Sequence, residues 1–339
     1  MTKSPSFVVY RLPQQTELYY NSSKARIIEK ICDLKESHFI MTPFDEESAC
    51  PIFAFNSKHT KRINSEEWID LALDFKSKPF ETHHASAKEH QKQVHQIIEE
   101  IEKGELKKVV LSRVQAFKRN DKSIKQVFTQ LCDKYPNAFV YLTQLPNGQI
   151  WCGASPETLA KFEESKFETM ALAGTKVIDK ENAEDLVWPV KEQDEQIWVQ
   201  NYIRSLFKSH MLNFTQSEPY SAIAGPVAHI RSDFSAMAAA TIATQLLLQL
   251  HPTPAVCGTP TQKAKDFLLQ IEKHDRIYYT GFIGIYAPQK FHLFVNLRCM
   301  QIDDEAFHLY LGGGITKDSI AEDEYQETEN KAQTLSAFL

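Results

Sequence analysis

The chain has 339 residues, 42% of them hydrophobic and 24% charged, which is ordinary globular chemistry with apolar mass for one large core or two modest ones. A formal net charge of -6 without long Lys/Arg runs excludes the electrostatic footprint of a nucleic-acid binder, so a small ligand and no nucleic-acid partner are expected. The six cysteines, Cys32, Cys50, Cys132, Cys152, Cys257 and Cys299, form no CxxC pair and no Cys/His zinc spacing, and fit reduced thiols in the cytoplasm.

The opening MTKSPSFVVYRLPQQ lacks the apolar core and small-residue cleavage site of a secretory leader. Residues 1–84 carry few local signals beyond strand-like pieces, Ser6 to Arg11 and Pro51 to Asn56, and are read as part of one continuous body with 85–339. From Ser86 the pattern sharpens. Ser86 and Glu89 read as a capping box, Val94, Ile97, Ile98 and Ile101 recur at helical spacing, and Gly104 is the stop. Lys108 to Phe117 is β-branched and predicts a strand, and Ile124, Val127, Phe128 and Leu131 outline a second amphipathic helix. A strand over Ala138 to Leu145 then turns at Pro146-Asn147-Gly148 and returns antiparallel over Gln149 to Gly153.

Ile197, Tyr202, Ile203, Leu206 and Phe207 predict a helix that starts before Glu195 and runs toward His210. The most apolar stretch, Ala236 to Leu250, is broken by Thr241, Thr244, Gln245 and Gln249 and is shorter than the roughly 20 residues of a membrane helix. It reads as a buried helix, and no membrane association is expected. His292 to Gln301 and Glu305 to Leu311 read as strands, and Ser319 to Phe338 as a closing helix. Strands and helices mix without strict βαβ alternation, which predicts an α+β body with large antiparallel sheets.

Several local patterns carry possible chemistry. Lys108, at the head of an apolar strand, reads either as a solvated edge lysine or as a base, and a lysine base belongs in a dry cleft. Glu157, after Ser155-Pro156, reads either as a first-turn helix acid or as a general acid whose proton is held by burial. Glu192, Asp194 and Glu195 crowd one helix start, and Glu322, Asp323, Glu324 and Glu327 crowd another. Such clusters are commonly solvated faces, yet two helices each offering a carboxylate also suit Mg²⁺, which prefers oxygen ligands and keeps several waters. Gly312-Gly313-Gly314 is either a plain turn or a place where backbone N–H groups approach an anion, with Arg298 as a bidentate carboxylate donor. It lacks Rossmann and P-loop spacing, so no nucleotide is expected.

Taken in order, KKVVLSR, GASPE, ALAGT, LHPTPAVCGTP, HDRIYYTGFIG, VNLRC, LGGGI and EYQETENKA resemble the chorismate-binding family, the anthranilate synthase component I-like enzymes. That family includes isochorismate, salicylate, anthranilate and aminodeoxychorismate synthases, and the likeness covers residues 85–339. It implies a single α/β sandwich of two large antiparallel sheets flanked by helices, a site deep between them, and Mg²⁺ as cofactor. The part before residue 85 is shorter than many relatives carry. In water-adding members the lysine of the first motif is the general base, which falls on Lys108, and the glutamate of SPE is the general acid, which falls on Glu157. The metal carboxylates fall on Glu195 and Glu327. Arg298 and the Gly312, Gly313 and Gly314 backbone match positions that receive substrate carboxylates, and Ala173, Gly174, Thr175 and His251 line the same site in the family. For His251 a purely structural place before Pro252 stays open.

Aminating relatives tend to carry glutamine where Lys108 stands, and aminodeoxychorismate synthases a nucleophilic lysine where Ala173 stands. Both positions point to water, so no glutaminase subunit is expected and the chain is read as a monomer. The expected activity is an isomerase, an isochorismate synthase feeding menaquinone or a catechol siderophore. Salicylate synthase, with the same lysine and acid, is the alternative. A catalytically silent chorismate-binding subunit would be expected to lack one of Lys108, Glu157, Glu195 or Glu327, and all four are present.

Overall fold

Runs such as Phe7-Val8-Val9-Tyr10 and Phe39-Ile40-Met41 are buried on every residue. A strand that is apolar on both faces needs cover on both. The computed structural model describes residues 6–75, 77, 79–177, 186–224 and 227–339, so the first five residues of the opening stretch lie outside it. Among the described residues, one sheet has nine strands and the other ten, and every pairing is antiparallel. From edge to edge the first sheet runs Gly258–Thr259, Lys108–Lys118, Ala306–Ile315, Cys299–Ile302, Ile150–Ser155, Phe139–Gln144, Phe7–Arg11, Leu18–Asn21 and Lys61–Ile63. The second runs Phe214–Gln216, Val227–Met237, Lys166–Val177, Thr158–Glu163, Lys290–Val295, Phe282–Ala287, His38–Thr42, Ile52–Asn56 and Arg26–Ile28, with Tyr220–Ala224 also pairing to Val227–Met237. Strands from residues 1–84 thus enter both sheets.

The sheets pack face to face through Tyr10, Phe39, Phe53, Phe139, Trp151, Phe294 and Tyr310. Phe139 and Phe294, one from each sheet, stack with centroids 4.4 Å apart. The outer face of the nine-stranded sheet is covered by Ile124–Lys134 and Ala321–Ser336, whose Phe128, Leu131, Ala332 and Leu335 join that core. Val190–Ser209 and Ala240–Leu250 cover the ten-stranded sheet. Ala87–Glu102 and Thr261–Ile271 pack on the start of the Lys108–Lys118 strand through Val94, Ile97, Leu268, Val109 and Leu111. The result is a sandwich of helix, sheet, sheet and helix, an α+β fold. No described helix is long and apolar enough to cross a membrane.

Three expectations are corrected. The Ser86 hydroxyl does accept from Glu89 N at 3.3 Å, but the Glu89 carboxylate turns away to His83 at 2.8 Å and Lys273 at 2.6 Å, so the reciprocal half of the box is absent. The Ala236 to Leu250 run is divided: Ala236 and Met237 finish the Val227–Met237 strand and the helix starts at Ala240. His292 to Gln301 is two strands, Lys290–Val295 in one sheet and Cys299–Ile302 in the other. Its middle, Asn296-Leu297-Arg298, carries the chain across, and Ile150–Ser155 and Thr158–Glu163 repeat the manoeuvre around Pro156-Glu157.

Candidate active site

Those two crossings, which carry Glu157 and Arg298, are bonded to each other. Glu157 O accepts from Val295 N at 3.0 Å, and Ala154 N donates to Arg298 O at 3.0 Å. Arg298 takes φ +47, a left-handed backbone rare for a bulky side chain, held by the strands on either side. Both side chains enter one cavity, lined also by Lys108, Ala173, Gly174, Thr175, Glu195, Gly312, Gly314 and Glu327. His251 and Gly313 are not among its lining residues. The His251 ring lies 3.1 Å from the carbonyls of Pro43 and Phe44, an anchor for that segment, which favours the structural place left open for it.

Lys108 is 2% exposed, which removes the solvated-edge reading, and its Nζ lies 2.8 Å from Glu195 Oε2. Glu157 is not on a helix at all. Burial pushes its carboxyl from the ordinary 4.5 up to about 8, against an opposing pull from Lys108. A carboxyl in that state holds its proton at neutral pH and can deliver it.

Arg298 donates from Nη2 to His229 Nε2 at 2.9 Å, while His229 Nδ1 sits 2.8 Å from Gly174 O. The pattern assigns the ring proton to Nδ1, leaving Nε2 to accept. Burial, and then the Arg298 charge, lower His229 to about 3, so the ring is neutral and serves to aim the guanidinium. Burial also brings Arg298 down to about 10, and among the described residues no carboxylate forms an ion pair with it. A buried guanidinium of this kind is a receptor for an anion. Sequence reasoning missed His229, because a lone histidine in the apolar run Val227-Ala228-His229-Ile230 looks like core.

The glycines are not a turn. Ala306–Ile315 pairs with Lys108–Lys118 along its whole length, but Cys299–Ile302 covers only Phe307 to Leu309 on the other side. Among the described residues Gly312 to Ile315 therefore have a strand neighbour on one side only. On that open edge Lys331 Nζ reaches Gly312 O at 2.8 Å. Gly174, at φ +68, is required for a second reason: a Cβ there would lie 2.9 Å from Glu192 Cβ.

Four glutamates face the cavity region from two helices, Glu192 and Glu195 one turn apart on Val190–Ser209, Glu324 and Glu327 one turn apart on Ala321–Ser336. Three lysines pair with them: Lys108 with Glu195, Lys191 with Glu324 at 2.5 Å and Lys331 with Glu327 at 2.6 Å. Glu327 is thereby held below its ordinary value despite burial, whereas burial outweighs Lys191 at Glu324 and raises it. Glu192 Oε2 and Glu324 Oε2 are buried and without a hydrogen-bond partner. Among the described residues no three acidic, His or Cys side chains form a ready coordination shell. An all-oxygen donor set with two orphaned carboxylate oxygens nevertheless fits a hard divalent cation that brings its own waters.

Comparison with known proteins gives the family. The family described as "Chorismate binding enzyme" matches residues 40–339. Anthranilate synthase component 1 of Aeropyrum pernix is 28% identical over 273 residues, 76% of this chain and 61% of that protein. Isochorismate synthase DhbC of Bacillus subtilis is 31% identical over 193 residues, 54% of this chain and 48% of that protein. The chain thus matches about half to three-fifths of the length of these relatives. The structure of MenF, the menaquinone-specific isochorismate synthase of Escherichia coli, superposes with a TM-score of 0.80 at 20% identity, covering 99% of this chain and 89% of that one, a likeness of fold. With the family pattern spanning both sheets and every element that lines the cavity, the chain belongs to the chorismate binding enzyme family.

Proposed function

We propose that the protein is a Mg²⁺-dependent isochorismate synthase, an isomerase that converts chorismate to isochorismate by water attack at C2 with loss of the C4 hydroxyl. The observation that carries this reading is Glu157, a buried carboxyl raised to about 8 in the same cavity as Lys108 and Arg298. Relatives named isochorismate synthase among the matches support the substrate. Arg298, aimed by His229, takes one substrate carboxylate together with the open edge of Gly312 and Gly314, which fixes the ring before reaction. Lys108 acts as general base on a water that attacks C2. The C1–C2 π pair moves to C1–C6, the C5–C6 pair moves to C4–C5, and the C4–O bond breaks as Glu157 protonates the departing hydroxyl. One water enters and one leaves, so no redox partner is needed. Acting as the base requires Lys108 to give up its contact with Glu195. Glu195 and Glu327 would hold Mg²⁺, which supplies positive charge for the second carboxylate.

The test is incubation of purified protein with chorismate and Mg²⁺, with products separated by chromatography. Isochorismate should form, and EDTA should abolish turnover until Mg²⁺ is restored. Chorismate left unconsumed would sink the reading, and full activity after exhaustive chelation would remove the metal from it.

A further inference from the structure

The Lys108–Lys118 strand has a full partner on one edge and almost none on the other. Gly258–Thr259 pairs only with Val109 and Lys108, and Cys257 O takes Val110 N at 2.8 Å. Beyond that point the outer edge has no strand beside it among the described residues, and its backbone groups need other partners. At Val110 and Ser112 two side chains provide them, while the His84 ring lies 3.2 Å from Val114 O farther along. Arg276 Nη2 donates to Val110 O at 2.5 Å, and Ser112 N donates to Glu272 Oε1 at 2.7 Å. The Ser112 hydroxyl adds a second bond to the same carboxylate oxygen at 2.8 Å. Glu272 and Arg276 are themselves joined by two bonds, Nε to Oε2 at 2.8 Å and Nη2 to Oε1 at 2.7 Å. An acceptor and a donor, at the spacing the strand presents, stand where a neighbouring strand would be.

The same guanidinium reaches Val256 O at 2.9 Å and Thr280 Oγ1 at 3.2 Å. Val110, Val256 and Thr280 all line the cavity. Across the strand, Val110 lies opposite Gly314 and Ser112 opposite Gly312, so whatever fixes the outer edge also fixes the glycine edge. Arg276 is 3% exposed and the Glu272 side chain 5%, and neither lines the cavity. A buried ion pair is a poor source of stability compared with apolar packing, which leaves geometry as the gain from keeping this one.

We infer that Glu272 and Arg276 are positioning residues: the pair substitutes for a missing strand and sets the place of Lys108 and of Gly312 and Gly314 for catalysis. The inference rests on the reading of Lys108 as the base. It predicts a defect in turnover rather than in substrate binding, because a small displacement of a catalytic group costs rate, by up to about 10²-fold for 1 Å. Arg276→Lys keeps the charge opposite Glu272 but offers one nitrogen where two carbonyls and a hydroxyl were held. Glu272→Gln keeps an acceptor for Ser112 and removes the charge.

Each variant is assayed well below its own melting temperature, with kcat and KM for chorismate measured beside amide hydrogen exchange. Expected are a kcat at least about tenfold lower, a KM within about twofold, and faster exchange at Val110 to Ser112 with His38–Thr42 unchanged. Wild-type kcat in Arg276→Lys, or local exchange without a kcat defect, overturns the inference. Uniform loss of protection across both sheets, with kcat following the folded fraction, does the same by showing a merely structural role. If Arg276→Lys does not fold, Glu272→Gln decides on the same readouts. If the wild type fails to convert chorismate, the proposed function falls, while exchange at Val110 to Ser112 still judges the clamp.

Discussion

Glu157 shows how one side chain acquires a role from where the chain crosses between sheets. In the folded protein it keeps its proton up to about pH 8, while in the unfolded chain it releases it near 4.5. Between those values the folded state carries the extra proton, so stability is full below about pH 4.5 and falls as pH rises toward about 8. Glu157→Gln should flatten that slope in thermal melts across this range, and a slope unchanged from wild type would place the titration elsewhere. The same variant should lower kcat by about 10²-fold or more with modest change in KM, as should Lys108→Ala. The basic limb of wild-type kcat/KM, near pH 8, should vanish with Glu157. Arg298→Lys should instead raise KM, by about tenfold or more, since a point charge cannot replace a forked donor aimed by His229. Lys108, Glu157, Glu195 and Glu327 were legible because motif order marks them. His229 was not, since its place lies in two hydrogen bonds that no spacing announces, and the contacts of His251 with Pro43 and Phe44 were not, because a motif does not say which way a ring points.

Among the elements, the strand that ends in three glycines makes the sharpest separation of fold from function. A Cβ at Gly314 would lie 2.8 Å from Lys108 Cε and 2.9 Å from Glu195 Oε2, both near the ends of flexible side chains. At Gly313 nothing is nearer than Glu324 Oε2 at 3.5 Å. Gly314→Ala should therefore fold with little change in melting temperature yet lose about tenfold or more in kcat, while Gly313→Ala stays close to wild type in both. Equal defects in the two would mean that the glycines serve the strand and not the cavity. Helices with a clear 3.6 period, Ala87–Glu102 and Ile124–Lys134, were readable from residue pattern, and so was the hairpin at Asn147-Gly148. The crossings were not. Phe291, Leu293, Phe294 and Val295 run into Cys299 and Met300 with only His292, Asn296 and Arg298 as polar interruptions, so periodicity sees one strand. The change of sheet depends on partners more than a hundred residues away, Thr158–Glu163 and Ile150–Ser155. Ala236 to Leu250 fails for the same reason: its first residues are claimed by pairing with Lys166 and Phe167, contacts that local apolar composition cannot reveal.

At the scale of the whole molecule, the two sheets close on a cavity whose chemistry separates the family's possible products. Aminating members, by the resemblance, carry glutamine at the Lys108 position, and those that attack through a lysine carry it at the Ala173 position. Here both places line the cavity, one filled by a buried lysine held on Glu195, the other by a methyl group. With chorismate, Mg²⁺ and abundant ammonium together, isochorismate should still accumulate and neither anthranilate nor an aminated intermediate should form. Salicylate requires one further step from isochorismate: the C3–O bond breaks, the C2 hydrogen passes to the enolpyruvyl methylene carbon, pyruvate leaves and the ring becomes aromatic. Lys108 and Glu157 do not separate the two products, but by the resemblance ALAGT and LHPTPAVCGTP are similar to the isochorismate-forming members. Salicylate should therefore stay minor at neutral pH, judged by its fluorescence and by coupled pyruvate detection on the chromatographed mixture. Stoichiometric salicylate and pyruvate would make the protein a salicylate synthase with the site residues unchanged. An aminated product would instead overturn the role given to Lys108, because a base placed to activate water would then have admitted ammonia to C2.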